Sequence, residues 1–195
     1  MHKYSPKIYC FVEKFDSKEL QKINKSVAII YRNYGKKVDE KSITAIKQHC
    51  KKNSKKFYLA NNLKIALKHK LDGLYIPSFY KKLNTKNNNL PLGFQIIGSA
   101  HNEIDMQIKE KQGCTTIFLA PIFKVKKKSN YLNILKFNSL SQNKKIELIA
   151  LGGINEKNIK KINLLNCWGF AGISWIKKNG LNKFRPFLNC LNRTN

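Results

Sequence analysis

The feature that most constrains this chain is a repeated switch between continuous apolar runs and amphipathic stretches. Short apolar runs alternate with stretches whose apolar residues recur at helical spacing, eight runs with seven such stretches. The runs at Lys7 to Val12, Val27 to Tyr31, Lys56 to Ala60, Gly73 to Ile76, Phe94 to Ile97, Thr115 to Ala120, Ile146 to Leu151 and Gly169 to Ile173 read as strands. Between them, Asp16 to Asn24, Asp39 to Lys52, Leu63 to Lys70, Asn102 to Gly113, Leu132 to Leu140 and Glu156 to Leu165 read as helices, and Leu181 to Leu191 as a last one. Local chemistry supports several ends. Asp16 or Ser17 suits an N-cap, Asn102 with Asp105 is close to a capping box, and Gly113 suits a C′ position. The polar, Asn-rich stretch from Lys81 to Asn89 reads as a surface loop.

Apolar strands separated by helices belong in a parallel sheet covered on both faces. Eight such strands with their intervening helices in 195 residues predict an α/β chain: a small (β/α)8 TIM barrel, one domain over residues 1–195. The competing open, doubly wound sheet calls for a Gly-rich turn after the first strand. Here the first glycine pair, Gly152-Gly153, follows strand seven.

Composition then narrows function. Thirty-eight Lys and Arg against eleven Asp and Glu leave a formal charge of +27, which invites a nucleic-acid reading. The lysines are spread over nearly every segment among abundant Asn, and no helix-turn-helix, RNP strand or finger spacing accompanies them. Dispersed lysine on solvated faces is therefore expected, and a nucleic-acid module is the remote alternative. No apolar run is long enough to span a bilayer, and Met1 to Pro6 opens no signal-peptide core. Five cysteines form no CxxC pair and four histidines no metal spacing, so reduced thiols in a cytoplasmic protein are expected.

In such barrels the loops after strands seven and eight commonly hold phosphate. Leu151-Gly-Gly-Ile-Asn155 and Gly172-Ile-Ser174 stand there, with glycines that let backbone N–H groups approach an anion. The densest basic run, Lys124 to Lys128, and Ser99-Ala-His101 fall on the same rim.

At these residues the chain resembles the thiamine phosphate synthase/TenI superfamily, most clearly from Ile96 to Ile176. Ser99-Ala-His-Asn102 matches its Ser-x-His-x element. Ala120-Pro-Ile-Phe123 with Lys128 matches part of its strand-six run. Ala150-Leu-Gly-Gly-Ile154 with Asn158 matches its glycine pair, and Gly169-Phe-Ala-Gly-Ile-Ser174 its last strand. The resemblance implies a transferase that couples a hydroxymethylpyrimidine diphosphate to a thiazole phosphate, giving thiamine phosphate and diphosphate with Mg²⁺. Its partners are thus small anionic phosphates and diphosphates. It implies that Gly152, Gly153, Ile173 and Ser174 hold the thiazole phosphate. It implies catalytic roles for Arg32, Ser99 and Lys128, with Arg32, Asn61 and Lys128 on the diphosphate side.

The first half departs from that pattern. Of a Gln-x-Arg-x-Lys run only Arg32 remains. Asn62 and Tyr80 stand where the family has its two metal-binding Asp residues, so Mg²⁺ is implied while its ligands are absent. Pro121 occupies the region of the His used by the related thiazole tautomerases. A second reading follows: a repurposed member that binds a thiazole phosphate or another phosphate without synthase activity.

Overall fold

The computed structural model describes residues 7–34, 39–82, 85, 89–125, 130–172 and 176. In chain order the elements are β1 Lys7–Val12, α1 Ser17–Lys22, β2 Val27–Tyr31, α2 Glu40–Lys52, β3 Phe57–Ala60, α3 Leu63–Lys68, β4 Gly73–Ile76, β5 Gln95–Ala100, α4 Glu103–Lys111, β6 Thr116–Leu119, α5 Asn133–Ser141, β7 Glu147–Leu151, a 3₁₀ helix Ile159–Leu164, and β8 Gly169–Gly172. Each strand pairs in parallel with its neighbour in sequence, and β8 returns to β1, closing an eight-stranded barrel. The expected helix 181–191 lies outside the described residues.

Strand alternation separates two cores. In β1, Ile8, Cys10 and Val12 face the helices, while Tyr9 and Phe11 fill the barrel. Tyr58, Tyr75 and Phe118 join them inside, with edge-on contacts at 4.9 Å (Tyr9–Phe118) and 5.2 Å (Phe11–Tyr75). Ala28, Ala60 and Ala171 leave room for these rings. The barrel floor is polar. Lys7 Nζ reaches both Glu147 oxygens at 2.5 and 2.7 Å, the Thr116 hydroxyl donates to Glu147 at 2.8 Å, and the Tyr58 phenol donates to Gln95.

Asp16, Asp39, Asn62 and Asn102 cap α1, α2, α3 and α4 by accepting N–H bonds of 2.8–3.0 Å. The segment expected as a helix from Glu156 is instead a turn followed by a short 3₁₀ helix. Asn158, which an α-helix would carry inside its first turn, folds back to accept the Asn155 N–H and to donate to the Gly153 carbonyl. Of the described lysines only Lys55 and Lys109 are buried, so the bulk of this charge is solvated as expected. Each buried ammonium has acceptors: the Ile23 carbonyl for Lys55, and the Tyr80 carbonyl and Gln112 Oε1 for Lys109. Among the described residues no helix is long and apolar enough to cross a membrane.

Burial makes this fold alkali-sensitive. It pushes the Tyr75 phenol up to about 12, raises Tyr9 and Tyr58 as well, and lifts the Cys50 and Cys114 thiols to about 12. In the unfolded chain these groups ionise from about pH 8.5 (Cys) and about pH 10 (Tyr). The folded state therefore holds more protons above those values, and stability falls as pH rises. The melting temperature is expected to hold through neutral pH and to fall steadily between about pH 9 and 12. A flat profile across that window, measured by calorimetry, contradicts this account.

Candidate active site

Because all eight strands run in parallel, their C-terminal ends share one rim. Glu13 follows β1, Arg32 follows β2, Asn61 follows β3, Ser78 lies just past β4, Ser99 sits near the end of β5, and Gly152 follows β7. Arg32, Ser99, Asn61, Gly152 and Gly153 are thus brought to the same end of the barrel. Lys128, Ile173 and Ser174 lie outside the described residues.

Arg32 is held on three sides. Its guanidinium lies 4.8 Å from the Phe11 ring centroid and 5.9 Å from that of Tyr34, and its Nη2 reaches Glu13 at 3.3 Å. Tyr34 in turn stands edge-on to Phe79 at 5.2 Å. Burial raises the Tyr34 phenol, so a neutral hydroxyl stands beside the guanidinium. Ser99 is buried, on the strand next to that of Tyr75. Asn61 adopts a left-handed conformation (φ 64°), its N–H bonded to the Tyr75 carbonyl at 2.9 Å. Its Oδ1 is buried with no hydrogen-bond donor in reach among the described residues. Leaving such an acceptor unpaired costs about 1–3 kcal/mol, which a substrate N–H or O–H would relieve.

On the opposite arc, Gly152 and Gly153 both have positive φ, 91° and 76°. A Cβ at Gly152 would stand 2.9 Å from the Pro121 Cα, and one at Gly153 2.4 Å from the Phe123 carbonyl oxygen. The β7 loop is therefore seated on the β6 loop, and the Ile122 and Phe123 N–H groups bond to the Leu151 and Gly152 carbonyls. Asn155 and Asn158 both donate to the Gly153 carbonyl. This cross-bracing holds a turn of bare backbone beside Lys124, which is exposed on the adjacent loop.

The two positions expected to carry carboxylates are employed elsewhere. Asn62 Oδ1 accepts the Ile65 N–H at 3.0 Å as the α3 cap. Tyr80 is packed against the outer core, and its carbonyl accepts from Lys109 and Gln112 at 2.9 and 3.0 Å. Among the described residues no group of three His, Cys, Asp or Glu side chains is placed to hold a metal. The sequence reading missed Glu13, Tyr34 and Ser78 as rim residues. Their roles depend on partners far along the chain, and no local motif marks them.

A closed parallel barrel with these residues at its strand C-termini defines the (β/α)8 class, in which that rim carries the chemistry. The model of the thiamine monophosphate synthase family matches residues 17–176, and the chain belongs to that family. It is 34% identical over 125 residues to the thiamine-phosphate synthase of Prochlorococcus marinus subsp. pastoris, covering 63% of this chain and 35% of that protein. It is 28% identical over 123 residues to the thiamine-phosphate synthase of Methanococcus vannielii, covering 62% and 59%. The match thus spans about a third of the length of the Prochlorococcus relative. In fold it is similar to thiamine phosphate pyrophosphorylase from Pyrococcus furiosus, with TM-score 0.69 and 17% identity over 97% of this chain and 95% of that one.

Proposed function

We propose that this chain is a thiamine phosphate synthase-type transferase that joins a hydroxymethylpyrimidine diphosphate to a thiazole phosphate. Family membership supports the reaction class, and the doubly positive-φ turn at Gly152-Gly153 is the structural observation that carries the site. In this reading the thiazole phosphate lies against that turn and against Ile173 and Ser174. The diphosphate lies toward Arg32, Asn61, Ser99 and Lys128. The pyrimidine methylene C–O bond breaks, its electron pair leaves on the diphosphate, and the thiazole nitrogen lone pair forms the new C–N bond. Arg32 supports the leaving charge; its guanidinium is fixed by two rings and Glu13 before substrate arrives, so little reorganisation accompanies the step.

The family implies Mg²⁺. A hard cation of that size takes carboxylate and water oxygens. Asn62 spends its oxygen on a helix cap, Tyr80 sits in the outer layer, and Glu13 is paired to Arg32. This donor set does not fit a resident Mg²⁺, and no step is routed through one. The same reading sets the chain in a reducing cytoplasm, where buried thiols such as Cys50 and Cys114 stay reduced.

Protein given both substrates is expected to release diphosphate and form thiamine phosphate, with Arg32→Ala lowering kcat/KM on the order of 100-fold. No diphosphate above background, beside an active synthase in the same assay, overturns the reading.

A further inference from the structure

Outside the residues given roles above, one side-chain pair at the rim has the geometry of a relay. His101, after β5, is hydrogen-bonded through Nδ1 to the Ala120 carbonyl at 2.5 Å. A carbonyl only accepts, so Nδ1 carries the hydrogen. The other ring nitrogen, Nε2, lies 3.1 Å from the Ser78 hydroxyl. In the neutral imidazole Nε2 is an acceptor, and the Ser78 O–H is spent on it.

The pair is built rather than incidental. Ser78 lies in a turn closed by the Tyr80 N–H on the Pro77 carbonyl at 3.1 Å. The Tyr80 carbonyl is tied to α4 by the buried Lys109 ammonium and by Gln112. The His101 N–H is bonded to Asp105 at 3.2 Å. Both partners are thus located from both sides, and both are half-buried.

An anion arriving at Ser78 needs the hydroxyl hydrogen for itself. The Ser78–His101 bond then survives only if Nε2 becomes a donor, which requires a proton on the ring. Anion binding and proton uptake are therefore linked, and the linkage is reciprocal. The charged groups around the pair are Asp105 on α4, which accepts the His101 main-chain N–H, and Lys81 on the loop after β4, 3.7 Å from Asp105. Lys109 on α4 is engaged by Tyr80 and Gln112, and the end of β6 meets His101 through a neutral carbonyl.

We propose that Ser78 and His101 form a proton-linked anion site at the barrel mouth, in which a phosphate or diphosphate oxygen takes the Ser78 O–H while His101 gains a proton at Nε2 and donates it to Ser78. This rests on the reading above in one respect: the anion it serves there is the departing diphosphate. On anion binding the site gains positive charge, on the side of the mouth where Asn62 and Tyr80 replace carboxylates.

The chain has four histidines, so imidazole ring carbons are few enough to follow by NMR. His101 is assigned by His101→Gln, or by substituting His2, His49 and His69 one at a time should that variant not fold. With inorganic diphosphate as probe, the His101 titration midpoint is expected to rise by about one unit, equivalent to about tenfold tighter binding to the imidazolium form. Ser78→Ala is expected to remove most of that rise. A midpoint that stays put while calorimetry shows diphosphate bound overturns the proposal, as does a full rise in Ser78→Ala or no binding at millimolar diphosphate. Because the readout needs no turnover, an inactive protein with the rise intact defeats only the synthase reading. An active synthase without the rise defeats only the relay.

Discussion

Gly169→Ala is expected to lower the melting temperature by roughly 10 °C or more, because it strikes the seam where the barrel closes. Gly169 is in register with Lys7 across the β8–β1 junction. A Cβ there would stand 1.9 Å from the Lys7 carbonyl oxygen and 2.7 Å from its carbon. Those atoms are backbone, and the strand cannot step aside. The Lys7 N–H is bonded to the Trp168 carbonyl at 3.0 Å, and its side chain is clamped to Glu147. Relief requires opening the β8–β1 pairing, a cost of about 4 kcal/mol or more. A fall of less than about 2 °C in a thermal melt would show that the seam is far softer than this geometry implies.

Gly153→Ala is expected to weaken binding of a thiazole phosphate about 30-fold or more, equivalent to about 2 kcal/mol. The positive φ alone costs an L-residue about 1–2 kcal/mol. The added Cβ also meets the Phe123 and Lys124 carbonyl oxygens at 2.4 and 2.9 Å, so the β6 and β7 loops are forced apart. Gly93→Ala separates the two causes. Gly93 has a similar φ of 80°, and a methyl group there would have nothing within 4 Å among the described residues, so it carries the strain without the collision. That variant should lose a little stability and no affinity. Equal affinity in Gly153→Ala and the parent, by calorimetry, removes the glycine turn from the phosphate site.

Much of the architecture was legible because period is a local property. The continuous apolar run Ile8 to Val12 and the helical spacing of Ile43, Ile46 and Cys50 are written in consecutive residues, and both elements formed where expected. Boundaries were harder. The sequence reading ends strand five at Ile97, yet β5 runs to Ala100. The reason is tertiary: a Cβ at Gly98 would meet the Cys114 sulfur at 2.8 Å and the Lys109 chain at 2.9 Å, so the glycine admits a close approach within the strand. The helix expected from Glu156 failed for a local reason of its own, since Asn158 is drawn to the Gly153 carbonyl.

For the candidate site the division is similar. Gly152-Gly153, Ser99 and Arg32 could be singled out because each stands at the end of an apolar run, and parallel closure places every such end on one rim. Sequence alone determined the eight-unit α/β barrel and the family resemblance, because these depend on periodicity and on short motifs. Only the tertiary structure decided what each rim residue is bonded to. Asn62 turned from a replaced ligand into a helix cap, Tyr80 moved to the outer layer, Arg32 gained Glu13, and Ser78 met His101 from 23 residues away. Hydrogen bonds are directional and reach about 3 Å, so such pairings are set only when closure of the sheet brings distant loops together.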